Sequence, residues 1–311
     1  MTDITDVDRP AAGAQQRPAA SVAQRQGWSR WRARVVQVFL ALTALVWLAP
    51  LLYTLYTSLR PYSDTAARGY VSLPGTLNLD NYVAAWTQAD MPQFFWNTVI
   101  VTIPAVVLTL LLSSMVAFAV SRFSLASNLT LLIVFTAGNL LPQQVIITPL
   151  YRLFLLIPLP EFLSDSGVLF DSYLGIILIH VAFQMGFCVF VLSNYMKTLP
   201  RELTEAALVD GTTVWAMYWR IILPLSRPPL AALATLQFTW IYNDFFWALV
   251  LMQSGDKRPI TSAIGSLGGL YFTDNNLIAA GALLAAIPTL VVFLVLQKQF
   301  VRGLTLGSTK G

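Results

Sequence analysis

Long apolar runs recur along this chain and limit its fold more than any other feature of the sequence. A helix needs about 20 mostly apolar residues to cross a bilayer, and six runs approach that length. Charged residues make up only 11% of the 311 positions, against about 25% in soluble domains. We therefore predict an all-α integral membrane protein. The six predicted transmembrane helices are 35–58, 95–120, 129–150, 173–196, 229–252 and 277–300.

The two ends of the chain differ from these runs. Residues 1–34 begin without apolar periodicity and finish in an aromatic and basic group, which predicts a disordered basic tail. The run that begins at Val35 is too long for the apolar core of a cleaved signal peptide, so we interpret it as a retained first span. The transmembrane domain is then 35–300, and residues 301–311 form a short second tail.

Prolines interrupt several of the predicted spans. A proline is tolerable in a transmembrane helix where neighbouring helices satisfy the carbonyl groups that it frees. Kinked helices around a cavity are therefore expected, and the run 129–150 is the most interrupted. The prolines concerned are Pro50, Pro104, Pro142, Pro149 and Pro288.

Basic residues are distributed unevenly between the two sides of the predicted bundle. Six spans place both termini on one side, and most of the 19 basic residues then share that side. Cytoplasmic loops carry an excess of Lys and Arg, so both termini are predicted to be cytoplasmic. The basic residues left outside are Arg60, Arg68, Arg152, Lys257 and Arg258.

A charged stretch, residues 197–228, separates the fourth and fifth runs. A central Asp, Lys or Arg costs about 2.5–3.5 kcal/mol on membrane-insertion scales, so this stretch is expected to lie in the cytoplasm. Gly211 is expected to end a first helix, because glycine readily adopts the left-handed conformation. A second helix is predicted to begin at Thr212 or Thr213 and to end at Pro224.

The pattern within this stretch resembles the EAA loop of ABC importer permeases. Glu205-Ala206-Ala207 is followed after three residues by Gly211, and nine more residues precede Ile221-Ile222-Leu223-Pro224. The opening around Leu203 is similar to the Pro-x-Glu-Leu stretch of the carbohydrate branch, which includes the maltose type. The alternative is an interfacial amphipathic hairpin without a partner. The resemblance implies ATPase-coupling roles for Glu205, Ala206, Ala207, Asp210, Gly211, Leu223 and Pro224.

The resemblance also implies what this chain assembles with. One EAA loop engages one ATPase, so the implied partners are a homologous second permease, two ATPase subunits, an extracytoplasmic solute-binding protein and membrane lipid. ATP and Mg²⁺ would bind the ATPases, since this sequence has no Gly-x-x-x-x-Gly-Lys-Ser/Thr loop. The end of the chain is also similar to the carbohydrate-permease terminus, although Ser308-Thr309 departs from the usual small apolar pair.

Other classes of function find little support in the sequence. The single cysteine, Cys188, excludes an internal disulfide and a paired-cysteine metal site. We expect no enzymatic activity, because no carboxylate pair or nucleophile constellation is evident. No metal, cofactor or nucleic-acid partner is expected for this chain.

Polar residues inside the apolar runs are candidates for a solute path across the membrane. Amides, acids and aromatic faces suit sugar hydroxyls and C–H faces. The alternative is that such residues bond only to neighbouring helices, and we favour that role for His180, which has no acid partner along its own helix. The candidates are Tyr242, Asn243, Asp244, Asn139, Gln143, Gln144 and Gln184.

Several alternatives remain open at this stage. The solute is a sugar by resemblance, but glycerol phosphate or a peptide is possible within the same class. An ion-coupled secondary transporter would work without an ATPase, and a scaffold protein would tolerate changes at Glu205 or Gly211. A helix lying on the membrane is predicted within residues 59–94. The Gly-rich segment 253–276 is either the mouth of the pathway or a plain connection.

Overall fold

The computed structural model describes residues 20–88, 90–124, 128–140, 142–265 and 273–305, and these residues are helical apart from turns and one isolated β-bridge. Two 3₁₀ turns cover Gln143–Ile146 and Gly255–Lys257, and a π-helical turn covers Tyr218–Ile222. The α-helices are α1 (Ala20–Ser58), α2 (Tyr62–Arg68), α3 (Asp80–Gln88), α4 (Met91–Arg122), α5 (Asn128–Leu140), α6 (Ile147–Leu156), α7 (Tyr173–Thr198), α8 (Glu202–Val209), α9 (Val214–Met217), α10 (Leu223–Leu225), α11 (Arg227–Tyr242), α12 (Phe246–Leu251), α13 (Ile260–Ile264) and α14 (Asn275–Thr305).

Several helices are long and apolar enough to cross a membrane. Within the described residues four qualify alone, namely Trp31–Ser58, Met91–Arg122, Tyr173–Thr198 and Asn275–Gln297. Two bent helix pairs raise the number to six if each pair forms one span. The all-α membrane class is therefore confirmed, while six spans and the placement of both termini in the cytoplasm stay predictions.

The chain forms two compact units, residues 1–53 and 54–311, with α1 contributing to both. In the first unit, α1 begins at Ala20, before the predicted start of the first span at Val35. At the other end of the chain α14 continues to Thr305, beyond the predicted end of the last span. The remainder of the two predicted tails, residues 1–19 and 306–311, lies outside the described residues.

The third predicted span, 129–150, is wrong as a single helix. Helix α5 ends at Leu140, and a 3₁₀ turn at Gln143–Ile146 leads into α6. The two arms are bent by 91°. Pro142 lies between them with an extended ψ of 127°. It lacks an N–H and disfavours helical geometry in the preceding residue, which explains the break.

The fifth predicted span, 229–252, is also interrupted. Helix α11 ends at Tyr242 and α12 begins at Phe246. The Asp244 carboxylate accepts hydrogen bonds from the backbone N–H groups of Trp247 and Ala248, at 3.4 and 3.2 Å. A short acidic side chain that bonds nearby N–H groups favours the start of a new helix over continuation of the old one.

Pro224 does not end the helix that follows Gly211, contrary to the prediction from the sequence. Helical structure continues through a π-turn and through α10 to Leu225, and α10 contains Pro224. The N–H of Leu223 bonds to the carbonyl of Tyr218, five residues back. This wider turn relieves the clash that a proline ring makes with the preceding turn of an α-helix. The chain bends by 75° at Ser226 instead.

Packing between α4 and α7 forms the centre of the second unit. One end of this pair contributes Ala117 and Leu192 to a buried cluster that also contains Ala207, Met217 and Tyr218. The cluster therefore joins the long helices to the short helices of the charged stretch. Polar contacts reinforce the connection, since the hydroxyl groups of Ser114 and Tyr218 lie 2.7 Å apart.

The predicted outer segment, residues 59–94, contains α2, α3 and the start of α4, organised around a fully buried arginine. The Arg60 Nε donates to Asp64 at 2.8 Å, and its Nη1 donates to the carbonyl of Tyr70 at 3.1 Å. The carbonyl of Arg60 accepts from the side chains of Asn81 and Asn276, both at 2.8 Å. This network joins the end of α1 to α3 and to the start of α14.

Candidate functional site: an exposed helical hairpin and a polar pocket

The charged stretch folds into two helical arms that meet at Gly211, and we call residues 202–225 the EAA hairpin. Gly211 has a φ of +71°, the left-handed conformation expected from the sequence. Its N–H bonds to the carbonyl of Leu208 at 3.1 Å, and the N–H of Thr212 bonds to that of Ala207 at 2.9 Å. This pair of bonds is the Schellman motif, which satisfies the last carbonyls of α8 and turns the chain sharply.

The second arm begins with a side-chain cap. The Thr213 Oγ1 accepts a hydrogen bond from the N–H of Ala216 at 3.2 Å. Such a cap satisfies one of the N–H groups that the first turn of a helix leaves free. Both sides of the Gly211 turn are therefore fixed by local hydrogen bonds.

The tip of the EAA hairpin exposes an apolar surface. Val209 is 88% exposed, Trp215 59% and Leu208 51%. Exposed apolar residues that cluster on one surface mark an interaction site more often than single ones do. This surface adjoins the exposed acidic side chains of Glu205 and Asp210.

The predicted coupling residues divide between this surface and the interior. Glu205, Ala206 and Asp210 are exposed, and Leu223 and Pro224 are half-buried. Ala207 is 5% exposed and packs in the buried cluster with Met217 and Tyr218. Of the two alanines, only Ala206 is therefore available to a partner, while Ala207 holds α8 against its own chain.

A cavity of about 630 Å³ lies alongside α8 of the EAA hairpin, next to the end of α4 and the start of α5, and Leu208 is part of its lining. Its charged lining residues are Arg122, Lys197, Arg201 and Glu205. The Arg122 Nη1 donates to the carbonyl of Leu199 at 3.2 Å. Arg122 thus connects the end of α4 to the entry of the EAA hairpin.

A second cavity, of about 340 Å³, lies between α7, α11, α12 and the break after α5. We call it the polar pocket. It brings together Gln143, Gln184 and Asp244, three of the predicted solute-path residues, from three separate parts of the chain. The full lining is Gln143, His180, Phe183, Gln184, Trp240, Asp244 and Trp247.

His180 has an acidic neighbour that the sequence analysis missed. Its Nε2 lies 3.6 Å from an Asp244 carboxylate oxygen, and His180 is 4% exposed. The search for a partner along its own helix fails because Asp244 belongs to the break between α11 and α12. The interpretation of His180 as bonded only to a neighbouring helix stays a prediction, and His180 also lines the polar pocket.

Three of the remaining solute-path candidates lie outside the polar pocket. Tyr242 is buried, and its hydroxyl donates to the carbonyl of Ala285 at 2.9 Å. Asn243 lines a different cavity of about 320 Å³. Gln144 is exposed and is not part of the lining. The side chain of Asn139 lies outside the described residues.

The described residues contain no group of three or more His, Cys, Asp or Glu side chains placed to hold a metal ion. The sulfur of Cys188 is buried and accepts from the Gln237 amide at 3.2 Å. Two structural features therefore stand out as sites, the exposed EAA hairpin and the polar pocket.

Comparison with known proteins agrees with this arrangement. Residues 18–306 match the family described as binding-protein-dependent transport system inner membrane component. A probable ABC transporter permease protein from Pyrococcus horikoshii is 31% identical over 262 residues, which are 84% of this chain and 91% of that protein. An arabinooligosaccharides transport system permease protein from Halalkalibacterium halodurans is 30% identical over 284 residues, or 90% and 96% of the two chains.

One further relative and one solved structure are also similar to this chain. A diacetylchitobiose uptake system permease protein from Streptomyces coelicolor is 28% identical over 278 residues, covering 89% of this chain and 88% of that protein. A solved bacterial ABC transporter, involved in the import of the acidic polysaccharide alginate, shares the fold with a TM-score of 0.71 at 22% identity, over 87% of this chain and 97% of that chain. The chain therefore belongs to the family of inner-membrane permease components of binding-protein-dependent ABC transporters.

Proposed function

We propose that this chain is a permease subunit of an ATP-driven importer for a sugar or oligosaccharide, coupled to its ATPase through the EAA hairpin. The observation that carries the proposal is the hairpin itself, which exposes an apolar tip while its inner face is part of the chain's own buried core. A rigid element with an unpartnered apolar surface suits the transmission of motion from a second protein.

The contacts of the EAA hairpin explain how such motion reaches the membrane helices. Ala207 and Met217, one on each arm, pack in one buried cluster with Leu192 of α7 and Ala117 of α4. A displacement of the hairpin tip therefore moves the ends of both long helices. Packed interfaces of this kind shift between discrete arrangements and do not deform smoothly, which suits alternating access.

The relatives and the polar pocket both support a sugar as the solute. Permeases named for arabino-oligosaccharides and diacetylchitobiose are similar to this chain along most of its length. The polar pocket combines the amides of Gln143 and Gln184 with the rings of Trp240 and Trp247. Amides bond to sugar hydroxyls, and aromatic faces pack against sugar C–H groups.

The proposed partners are a homologous second permease, two ATPase subunits that bind ATP and Mg²⁺, and an extracytoplasmic solute-binding protein. One EAA hairpin provides one ATPase contact, so a second permease completes both the pore and the pair of contacts. A solved relative of the same fold is described in complex with a pentasaccharide-bound periplasmic protein.

The test is purification of the tagged chain from native membranes, followed by identification of co-purifying proteins by mass. We expect an ATPase and a second permease with the wild type, and loss of the ATPase with Glu205→Lys, because the substitution reverses an exposed charge beside the apolar tip. Glu161→Lys is the control, since Glu161 is also exposed but lies in the segment between α6 and α7, outside the EAA hairpin.

Two results would contradict the proposal. Recovery of the chain alone, or as a homo-oligomer without an ATPase, favours a secondary transporter, whose uptake collapses with the ion gradient. Retention of the ATPase and of ATP-driven uptake by Glu205→Lys removes the coupling role from Glu205. In each case thermal unfolding of the variant shows whether the chain is still folded.

A further inference from the structure

The polar pocket has several polar groups but no permanently positive side chain in its described lining. Its described lining contains one carboxylate, Asp244, and one imidazole, His180, but no Lys or Arg. With Asp244 ionised, a protonated His180 neutralises it and a neutral His180 leaves a net negative charge. In neither state does the pocket have positive charge to offer an anion.

One of the lining residues, Trp247, also has a buried donor without a partner. Trp247 is 1% exposed, and its indole Nε1–H has no hydrogen-bond partner among the described residues. A buried donor without an acceptor costs free energy, so Trp247 gains stability if a small shift of its ring brings an acceptor within reach. The amides of Gln143 and Gln184 line the same space and offer both donors and acceptors.

Aromatic side chains form the rest of the wall. Phe183 and Trp247 lie with their ring centroids 5.3 Å apart, and Trp240 lines the same cavity. Ligand pockets occupy about 300–1,000 Å³, and this one has about 340 Å³. A space of this size fits one ring of a saccharide.

We propose that the polar pocket is a binding site for one neutral sugar ring and that Asp244 excludes sugars that carry a carboxylate, such as uronates. This inference rests on the proposed function, because it specifies which saccharides the same permease accepts. Similarity alone leaves the matter open, since a solved relative of this fold is involved in import of an acidic polysaccharide.

The physical reason is like-charge repulsion at a mostly buried carboxylate, since the Asp244 side chain is 14% exposed. Asp244 is held in place by the N–H groups of Trp247 and Ala248, at 3.4 and 3.2 Å, so its carboxylate is not free to turn away from the pocket. A uronate carboxylate close to it finds no compensating Lys or Arg in the described lining. Repulsion between two charges is much stronger in such a site than in water. A hydroxymethyl group at the same position carries no charge.

The experiment compares binding of glucose and glucuronate, which share a ring and differ by one carboxylate. Radiolabelled sugars are equilibrated by dialysis with the purified transporter in lipid nanodiscs at neutral pH, without the solute-binding protein. We expect wild type to bind glucose at least about tenfold more tightly than glucuronate. Asp244→Asn should abolish most of this preference, since Asn also caps α12 and removes only the charge.

Two further variants keep the test decisive. Gln184→Lys adds a positive charge to the pocket and should raise glucuronate binding even if Asp244→Asn fails to fold. Glu161→Gln removes an exposed carboxylate that is not part of the lining and should leave the preference unchanged. Equal binding of both sugars by wild type, an unchanged preference in Asp244→Asn, or no binding of either sugar would each overturn the inference.

The same preparation separates this inference from the proposed function. If ATPase subunits co-purify and ATP-driven sugar uptake is observed, the importer assignment stands whatever the pocket prefers. If no ATPase co-purifies, the importer assignment fails independently of any sugar binding.

Discussion

Gly211 is the residue on which the shape of the EAA hairpin depends. Its φ of +71° lies in a region that costs side-chain-bearing residues about 1–2 kcal/mol. A methyl group added there meets no atom within 4 Å, so space does not oppose a substitution. Any loss on substitution therefore comes from the backbone conformation itself.

We expect Gly211→Ala to destabilise the hairpin by about 1–2 kcal/mol and to reduce coupled ATP hydrolysis. Gly211→Asn should retain more of both, because Asn adopts the left-handed conformation more readily than Ala. Thermal unfolding and sugar-stimulated ATPase activity of the complex measure the two effects. The argument fails if Ala and Asn at this position behave alike.

Asp171 lies in the segment that precedes α7, and its side chain connects that segment to the residues that follow α12. Its carboxylate accepts from the N–H groups of Gln253 and Ser254, at 2.8 and 3.1 Å, and from the Ser254 hydroxyl. Partial burial alone would raise the pKa of Asp171, but these hydrogen bonds and the nearby Lys257 outweigh it and hold the pKa below its ordinary value.

The depressed pKa of Asp171 predicts acid sensitivity. The unfolded chain binds this proton more readily than the folded chain, so the stabilisation is complete above the ordinary Asp pKa of about 3.9 and is lost as the pH falls through the lower folded value. We expect Asp171→Asn to be less stable than wild type at pH 7, with the difference shrinking in acid. Melting temperatures across that range check it, with Glu161→Gln as a control at an exposed carboxylate.

At the scale of helices, the sequence predicts some features and not others for physical reasons. Apolar runs locate the long helices, and Gly211 and Thr213 carry local signals for a cap on each arm of the hairpin. The π-turn that accommodates Pro224 has no comparable local sequence signal. Its residues Tyr218 and Ile222 are held by packing in a buried cluster with residues that are distant in the sequence. The prediction that this helix ends at Pro224, made from the proline alone, was therefore wrong.

The polar pocket shows the same limit more clearly. Polar residues within apolar runs identified Gln143, Gln184 and Asp244 as candidates, but nothing local indicates that they meet. Their meeting requires the break at Pro142 and the break after Tyr242, which bring separate helices to one cavity. The contact between His180 and Asp244 depends on that packing, and so only the structure reveals it.

The apolar tip of the EAA hairpin predicts that surface and buried substitutions on its helices have different effects. Val209→Asp changes a side chain that is 88% exposed, so we expect an unchanged melting temperature but weaker retention of the ATPase on purification. Val71→Asp, at a side chain 91% exposed in the segment between α2 and α3, should affect neither property. Met217→Ala, at a fully buried position, should instead lower stability by about 2–5 kcal/mol.

If Val209→Asp retains the ATPase to the same extent as wild type does, the tip is not part of the coupling surface. A variant that unfolds would show that Val209 supports the hairpin and does not serve a partner. The comparison with Met217→Ala distinguishes these outcomes, because stability and ATPase retention then change together or separately.

At the scale of the whole molecule, the orientation in the membrane decides whether the EAA hairpin can meet an ATPase. The EAA hairpin must face the cytoplasm to meet an ATPase, and the network around Arg60 and the loop of Asp171 must then lie on the opposite side. The described residues contain four helices long enough to cross a membrane, and each of the two bent pairs, at 91° and 75°, adds one crossing if it forms a single span. Both termini share one side when both pairs cross or when neither does.

Single cysteines introduced into a Cys188→Ala background test this orientation directly. We expect a cysteine at Asp210 to react with a membrane-impermeant maleimide only after the membrane is permeabilised, and a cysteine at Glu161 to react in intact cells. Both positions are exposed, so accessibility within the protein does not limit either reaction. The reverse pattern would place the EAA hairpin outside the cell, where no ATPase supplied with cytoplasmic ATP can reach it, and the coupling mechanism would fall with it.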